Sequence, residues 1–455
     1  MSSTSSYPYI HSVTQTNINR GSVTGSKAKL LNTSTYLYST FYYDEKGRVV
    51  QTKAQNIGGG NDISTMQYVF AGQSILSTLR QTITAGSQSH IVITKSTFDD
   101  LGRVTSIDKK IGSSLVNSGT LPSSFNTIAS IYYDDLGRVK KKILEPAFNS
   151  SAGLETVHND YNIRGWLLGA NREFIKGTSG YNNYFGFDLS YDKAAPIISS
   201  NNFTGLFNGS IGGTIWKTAG DPEVRRYDFT YDYVNRLTAA TFTQYTSSSF
   251  NTNAGLDFSV SNLTYDPNGN ILSMNQKGWL TTSSGYIDQL TYHYRIGELS
   301  NQLLNVMDPT TDPQIKLGDF RISTNHPYGG SKSSTTVDYT YDANGNLIKD
   351  YNKDIRTYAD ANGITYNHLN LPSIITVRNS STTANKGSVD YYYDANGVKL
   401  KKVVHETGQS DKITTYVGPF VYENDVLQFI SHEEGRIRYE LASNICSSLP
   451  NRFFY

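Results

Sequence analysis

The chain has 455 residues, with 40 lysines and arginines against 39 aspartates and glutamates. The resulting formal net charge of +1 marks the chain neither for nucleic acid nor for an anionic membrane. A single cysteine, Cys446, excludes an internal disulfide and a cysteine-rich metal site.

The N-terminal residues MSSTSSYPYIHSVT have neither a basic start nor an apolar segment, and no run of about 18 apolar residues occurs anywhere. The sequence therefore predicts neither a signal peptide nor a transmembrane helix. We expect either a chain that stays in the cytosol or part of a longer chain whose export signal lies upstream.

A heptad with the pattern Tyr-Asp-x-x-Gly-Arg/Asn-aliphatic recurs along the chain. Its copies begin at Tyr43, Phe98, Tyr133, Tyr231, Tyr265, Tyr341 and Tyr393, and weaker copies begin at Tyr161 and Tyr366. The shortest intervals, roughly 25 to 30 residues, are typical of a repeat protein. The 34 tyrosines and 38 glycines of the chain also favour half-buried strands separated by tight turns.

Each position of the heptad has a physical role. Aromatic residues alternate with polar ones before it, as in Tyr227, Phe229 and Tyr231, and this period of two predicts a strand with one apolar face. The Asp is expected to accept a backbone N–H two residues on. The Gly, replaced by Asn235 or Asn370 in two copies, tolerates the positive φ of a type I turn followed by a bulge. The heptad therefore predicts a β-hairpin corner.

The turn residues that this pattern predicts belong to seven corners. They are Tyr43, Asp44, Gly47 and Arg48; Asp99, Gly102 and Arg103; Tyr133, Asp134, Gly137 and Arg138; Tyr231, Asp232 and Asn235; Tyr265, Asp266 and Gly269; Tyr341, Asp342 and Gly345; and Tyr393, Asp394 and Gly397.

A series of such hairpins can bury one continuous face, so we predict an all-β fold. Its repeats should form a long antiparallel sheet that curves or spirals, as a partial shell. The predicted array covers residues 1–438 without interruption, with an atypical N-terminal part of about 35 residues. Residues 439–455 are predicted to be a tail outside the repeats.

The heptads resemble the tyrosine-aspartate repeats of rearrangement hotspot (RHS) proteins, a bacterial family related to the C component of insecticidal toxin complexes and to teneurins. The resemblance runs from Tyr42 to Arg438, and the blocks 184–192, 207–211 and 364–372 also look like those of bacterial surface members. It implies a hollow β-shell around a C-terminal effector, in a secreted or cell-surface protein. The family's core segment and effector do not follow Arg438, so the resemblance implies shell material without its cargo.

Metal binding was the first alternative interpretation of the heptad. Asp342, Asn344 and Asn346 offer oxygen atoms, but an EF-hand loop needs Gly at the sixth position and Glu at the twelfth, where Gly345 is fourth and Lys353 twelfth. The eight histidines also lack the H-E-x-x-H spacing of a zinc hydrolase. We therefore expect no metal and no cofactor.

Catalysis has little support in the sequence. Asp266-Pro267-Asn268-Gly269 matches the D-P-x-G motif with which RHS proteins cleave themselves, but Asp266 belongs to a predicted corner, and Gln289 follows Asp288 where a proline is needed. The stretch 308–313 is predicted to be a proline-punctuated loop. No G-x-S-x-G elbow and no P-loop occurs, so we predict no enzyme.

Two partner hypotheses remain from the sequence. The first is a structural shell whose partner is an effector in cis, or the remainder of a longer RHS chain. The alternative is a cell-surface adhesion or carbohydrate-binding module, with Trp166, Trp216 and Trp279 as candidate glycan contacts, although aromatic residues are also typical of sheet packing. The lysine run 140–142 is interpreted as a solvated strand edge, so no nucleic acid is expected.

Overall fold

A computed structural model describes residues 14–192, 197–198, 203–221, 223–295, 300–310, 318–379, 383–440 and 452–454. Most of the predicted tail, including Cys446, lies outside the described residues. The fold is all-β, as predicted, and its strands belong to three antiparallel sheets of 20, two and nine strands.

Consecutive strands pair in the first sheet, because hairpin corners join them. Its strands are β1 (Gly25–Lys29), β2 (Tyr36–Tyr43), β3 (Val49–Gln55), β4 (Asn61–Tyr68), β5 (Ser74–Ile83), β6 (Gln88–Phe98), β7 (Val104–Ser113), β8 (Asn126–Tyr133), β9 (Val139–Leu144), β10 (Glu155–Tyr161), β11 (Leu167–Ala170), β12 (Phe185–Ser190), β13 (Gly213–Thr218), β14 (Arg225–Tyr231), β15 (Leu237–Thr246), β16 (Ser249–Asn251), β17 (Val260–Tyr265), β18 (Ile271–Trp279), β19 (Ser284–Tyr294) and β20 (Leu303–Met307). Two short helices, α1 (Phe148–Ser151) and α2 (Arg172–Lys176), interrupt the series.

The remaining strands form the two smaller sheets. The hairpin of β21 (Tyr339–Tyr341) and β22 (Leu347–Asp350) is a sheet by itself. The third sheet consists of β23 (Ile364–Tyr366), β24 (Pro372–Arg378), β25 (Asn385–Tyr393), β26 (Lys399–Glu406), β27 (Lys412–Val417), β28 (Phe420–Glu423), β29 (Val426–His432), β30 (Gly435–Glu440) and β31 (Arg452–Phe454). Among the described residues, no helix has the length and apolar character that crossing a membrane requires.

The chain divides into two compact units, one of residues 1–156, 366–374 and 388–455, the other of residues 157–365 and 375–387. In the first unit, side chains from β5, β6 and β7 form one apolar cluster with side chains from β27 to β30. His90 on β6 is fully buried and stacks on Phe420, with ring centroids 5.6 Å apart. The core of this unit therefore joins segments more than 300 residues apart.

This packing corrects the interpretation of the lysine run 140–142. Lys142 on β9 is partly buried, and its Nζ lies 3.0 Å from the carboxylate of Glu434, between β29 and β30. Lys141 lies over the ring of Tyr132, 4.5 Å from its centroid. These two lysines thus stabilise the first unit through partners inside it, and the description as a purely solvated edge is wrong.

The second unit has two apolar clusters. Ile175 of α2 packs with Phe203, Ile215, Val224 and Phe250 in the first of them. In the second, Leu290, Val306 and Tyr339 are buried together, so that β19, β20 and the hairpin β21–β22 share one core. Polar side chains, including Asp338, Asn352 and Arg356, are buried next to this cluster.

Candidate functional site

The repeated corners are the most extensive feature to which the sequence assigns a role, and they share one type of turn. In the corner of Tyr341, the N–H of Asp342 donates to the carbonyl of Asn346 at 2.9 Å, and the N–H of Gly345 donates to the carbonyl of Asp342 at 3.1 Å. Gly345 has a φ of 85°, in the left-handed region. Tyr341 ends β21 and Leu347 begins β22, with a bulge before Tyr341.

The predicted turn residues of the other corners occupy the same places. Positive φ values occur at Gly47, Gly102, Gly137, Gly269 and Gly397, and at the two asparagines, Asn235 and Asn370, that stand at this position. The tyrosine, or Phe98, ends a strand in each case: β2, β6, β8, β10, β14, β17, β23 and β25 end at the first residue of a heptad.

The aspartate of each corner is occupied by the turn itself. In the first corner, Asp44 Oδ1 accepts the N–H groups of Lys46 at 3.0 Å and Arg48 at 2.9 Å, while its Oδ2 accepts Arg48 Nε at 2.7 Å. The corners of Asp99, Asp134 and Asp232 repeat this arrangement with Arg103, Arg138 and Arg236.

Where asparagine replaces the arginine, the carboxylate remains occupied. Asn346 Nδ2 donates to Asp342 Oδ2 at 2.9 Å, and Asn270 Nδ2 donates to Asp266 Oδ2 at 2.7 Å. The side chain of Asn346 lowers the pKa of Asp342 below its ordinary value, and backbone N–H groups lower it further. In the corner of Asp394 the position holds Val398, which donates through its backbone N–H alone, at 2.9 Å. The turn therefore occupies these carboxylates with its own hydrogen bonds.

The tyrosine hydroxyls connect one corner to another. Tyr133 donates to the carbonyl of Val104 at 2.9 Å, Tyr265 to that of Leu237 at 2.7 Å, and Tyr341 to that of Leu303 at 3.0 Å. In each of these bonds the acceptor is the first residue of the strand that returns from an earlier corner. Hydroxyls also donate to earlier carbonyls at Tyr43, Tyr68, Tyr191, Tyr231, Tyr294 and Tyr393, with Val23, Val49, Leu167, Ile211, Ile271 and Pro372 as acceptors. Of these acceptors, Val23 and Ile211 lie two residues before a strand rather than at its first residue.

The arginines reach in the opposite direction, towards the next corner. Arg103 lies over the ring of Tyr133, 4.6 Å from its centroid, and Arg236 lies at the same distance over Tyr265. The sequence assigned this position no contact. In the structure the guanidinium fills a place between its own aspartate and the following tyrosine, which combines a charged hydrogen bond with a cation–π contact.

One corner escaped the sequence analysis because its aspartate is missing. Tyr68 ends β4 and Ser74 begins β5, with Val69 at the aspartate position. The N–H of Val69 donates to the carbonyl of Gln73 at 3.0 Å, and Gly72 has a φ of 98°. A tyrosine four residues before a glycine, at the repeat interval, was the available signal.

The three candidate glycan tryptophans have different surroundings. Trp216 stacks on Tyr227, with centroids 5.3 Å apart, inside a group of aromatic rings on β13 to β15. Trp166 packs against Tyr191 at 5.2 Å. Trp279, at the end of β18, is 40% exposed. Of the three, Trp279 therefore offers the most free surface for a ligand.

A cavity of about 180 Å³ lies in the first unit beside the corner of Tyr393. Tyr391, Tyr392 and Tyr393 line it together with Asp390 and Asn367. Aromatic faces beside carboxylate and amide groups can bind a small polar ligand. This cavity could not be predicted from the sequence, because its walls come from separate parts of the chain.

The second unit contains an acidic cluster that the sequence did not predict. Asp288, Asp308 and Asp319 have carboxylate oxygens within 4.8 Å of one another. Burial raises the pKa of Asp288, and the charges of the other two aspartates raise it further. Three such groups could share a proton or hold a divalent cation.

The two aspartates of the D-P-x-G interpretation, Asp266 and Asp288, have different surroundings in the structure. Asp288 is in the cluster, where its Oδ1 accepts the N–H of Phe320 at 2.7 Å, whereas Asp266 is fixed in its corner by Asn270. Asp308, which the sequence placed in a simple loop, accepts the N–H groups of Gln289 at 3.0 Å and Thr310 at 3.1 Å.

No protein-family model and no curated protein sequence matches the chain. Among solved structures, it is similar to TcdB2-TccC3 without its hypervariable C-terminal region, with a TM-score of 0.26 and 12% identity over 92% of this chain and 24% of that one. It is also similar to the Photorhabdus luminescens Tc holotoxin pore carrying TccC3-D651A, with a TM-score of 0.24 and 11% identity over 91% of this chain and 24% of that one.

A third similarity is to a porin-like protein from Bacteroides uniformis, with a TM-score of 0.18 and 13% identity over 52% of this chain and 93% of that one. The chain thus spans about a quarter of the length of the two toxin chains. At these scores the similarities assign neither a family nor a function.

Proposed function

We propose that the chain is a structural β-wall, a segment of an RHS-type shell that encloses an effector. The observation that carries this proposal is the use of the repeated side chains. The corner carboxylates, tyrosine hydroxyls and arginines bind one another, so the most abundant polar groups of the repeat serve construction.

The composition of the buried residues supports a wall rather than an ordinary globular core. Among the described residues, polar or charged side chains are buried almost as often as apolar ones. Gln51, Thr65, Gln67, Thr78 and Gln81 on β3 to β5 are each 3% exposed or less. Large domains usually reserve such positions for aliphatic residues.

The tips of the corners support attachment to further protein. Phe70, Leu101 and Leu136 stand at the tips of three corners of the first unit and are 90%, 78% and 74% exposed. Large apolar side chains repeated on a surface commonly mark a protein interface. In the proposed shell, this row would contact other parts of the assembly.

Containment can be tested with a protease. A flexible, protease-sensitive reporter is joined to the C-terminus of the full chain, and its half-life under dilute protease is compared with that of the same reporter joined to an unrelated compact protein. We expect the chain to prolong the half-life at least tenfold. Equal half-lives would contradict containment. Placing the reporter at the N-terminus is the matched control for a general slowing of digestion.

Glycan binding is the second candidate, and the cavity beside Tyr393 together with the exposed ring of Trp279 favours it. A glycan array with the intact chain tests it directly. Tyr392→Ala and Trp279→Ala separate the two surfaces, because each removes an aromatic face from one of them, while Tyr233→Ala, at a corner tip that is 93% exposed, is the control. An array without signal would exclude this candidate.

A further inference from the structure

A lysine, an aspartate and an asparagine meet in a buried site of the second unit. Asp338 directly precedes β21, Asn352 follows β22 by two residues, and Lys332 lies six residues before Asp338. The side chains of Asp338 and Lys332 are 0% and 3% exposed, and Asn352 is 2% exposed. The corners and the acidic cluster do not include any of these three residues.

One carboxylate oxygen bridges the amine and the amide. Lys332 Nζ lies 2.6 Å from Asp338 Oδ2 and 3.2 Å from Asn352 Oδ1. Asn352 Nδ2 donates to the same Asp338 Oδ2 at 2.9 Å. A nucleophile, an electrophilic carboxamide and a group that can carry protons between them are therefore in direct contact.

A histidine holds the other oxygen of the carboxylate. His326 Nε2 lies 2.9 Å from Asp338 Oδ1, and its Nδ1 accepts the N–H of Tyr328 at 3.2 Å. Because Nδ1 accepts, the proton of the neutral imidazole belongs on Nε2 and is donated to Asp338. Burial lowers the pKa of His326, which favours this neutral form. The histidine thus fixes the orientation of the carboxylate.

The alternative to a reactive site is a buried ion pair between Lys332 and Asp338 that forms no covalent bond. Attack on a carboxamide requires the neutral amine, so the ammonium proton of Lys332 must first pass to Asp338 Oδ2, which lies 2.6 Å from Nζ. Rigid neighbours also lower the barrier to attack, since the entropy of bringing the two groups together has already been lost on folding.

We propose that Lys332 and Asn352 join in an intramolecular isopeptide bond, with Asp338 as the proton carrier. Asp338 takes a proton from the Lys332 ammonium, and the free amine attacks Cγ of Asn352, forming the Nζ–Cγ bond. A second proton leaves Nζ, again through Asp338. One proton reaches Nδ2 as the Cγ–Nδ2 bond breaks, the released ammonia takes the other and leaves as ammonium, and Asp338 ends as the carboxylate. No oxidant or cofactor takes part.

The bond closes a covalent ring around the hairpin β21–β22. Two strands alone are marginally stable in water, and this hairpin forms a sheet of its own. A crosslink between the segments before and after it restricts the unfolded chain as a disulfide does. The single cysteine of the chain excludes an internal disulfide for this purpose.

The intact mass of the full chain, measured after denaturation, tests the proposal. We expect a mass about 17 Da below the value calculated from the sequence, the loss of one ammonia, and a branched tryptic peptide that joins Lys332 to Asn352. The calculated mass with two separate peptides would overturn the proposal. A loss of about 18 Da with a branch at Asp338 would also overturn it, because Asp338 would then be the electrophile.

Variants identify the roles of the three residues. Lys332→Arg keeps the positive charge without the amine, and Asp338→Asn keeps the shape without the proton carrier, so both should have their full calculated masses. Lys349→Arg is the control, because Lys349 pairs with Asp360 outside the site and the mass loss should persist. The mass of the unaltered chain decides the question even where a variant fails to fold. Mass loss in Lys332→Arg would contradict the assignment of the nucleophile.

Discussion

The corners of Tyr43 and Tyr68 make the same turn with different side chains. Both end a strand at the tyrosine, both place a glycine at positive φ, and both tyrosines donate to a carbonyl that precedes them in the chain. The first has Asp44 and Arg48, whereas the second has Val69 and Gln73. Glycine, backbone and tyrosine therefore suffice for the shape of the corner, and we expect the carboxylate to add stability to a turn that forms without it.

The largest effect is expected from making the first corner resemble the second. Asp44→Val removes three hydrogen bonds, two of them to backbone N–H groups, and should lower the free energy of unfolding by about 2 kcal/mol. Urea denaturation followed by circular dichroism measures the change. Asp135→Val is the control, since Asp135 is exposed and lies outside the carboxylate position, and it should change little.

The reverse substitution gives the second corner the carboxylate that it lacks. Val69→Asp should raise the free energy of unfolding by less than Asp44→Val lowers it, because Gln73 is neutral and offers no guanidinium to the new carboxylate. A loss of stability on Val69→Asp would show that the two turns differ in more than their side chains.

The positive-φ glycine that these two corners share with the corner of Tyr341 gives the next effect. Gly345→Val should cost about 1–2 kcal/mol, because a β-branched residue is forced into the left-handed region. A β-carbon at this position would lie 3.9 Å from its nearest neighbour, Gln302 Nε2, so crowding contributes little. Gly345→Asn should cost less, as Asn235 already occupies the equivalent position at a φ of 65°.

The two Gly345 variants are compared by urea denaturation with and without a chelator. Equal losses for Val and Asn would contradict an explanation by backbone strain. A chelator that lowers the stability of the unaltered chain would contradict the assignment of the corner as a turn without metal.

The tyrosine hydroxyl has a smaller effect. Tyr133→Phe removes the donor to the carbonyl of Val104 and should cost about 1 kcal/mol. Phe98 shows that a corner tolerates the loss. Tyr132→Phe is the matched control, because that neighbouring ring is 47% exposed, and it should leave the denaturation midpoint unchanged. Equal effects at both positions would contradict a role of the Tyr133 hydroxyl in joining the corners.

The pH dependence of stability should also distinguish the corners. The backbone N–H and then the side chain of Arg103 lower the pKa of Asp99, and a depressed folded-state pKa gives stability that is present above the ordinary value of 3.8 and is lost as the pH falls through the folded value. Burial raises the pKa of Asp288, which acts in the opposite direction.

We therefore expect Asp99→Asn to weaken the loss of stability in acid and Asp288→Asn to strengthen it. Urea denaturation midpoints measured between neutral pH and pH 3 check both expectations. Identical pH profiles for the two variants would contradict the opposite signs.

The sequence predicted those features of the fold that residues close together in the chain determine. The aspartate and glycine of a corner act within seven residues, so their pattern was sufficient for the turn and for an all-β fold. The hydroxyl of Tyr133 and the guanidinium of Arg103 were not predicted, because their partners belong to other corners. The corner of Tyr68 was not predicted, because Val69 stands at the position where aspartate identifies most other corners.

Longer-range features lay beyond the pattern altogether. The packing of His90 on Phe420 joins residues 330 positions apart, and no periodicity in the sequence predicts this contact. The site of Lys332, Asp338 and Asn352 combines residue types that are common in any loop. The buried acidic cluster likewise depends on which strands become neighbours, so only its separate aspartates were visible.

The direction of the tyrosine bond bears on how the chain is made. Each hydroxyl in this series donates to a carbonyl that precedes it in the sequence, so the acceptor has already left the ribosome when the tyrosine emerges. A growing chain can thus form each of these bonds as its tyrosine emerges. The core of the first unit, by contrast, is complete only after β27 to β30 have been made.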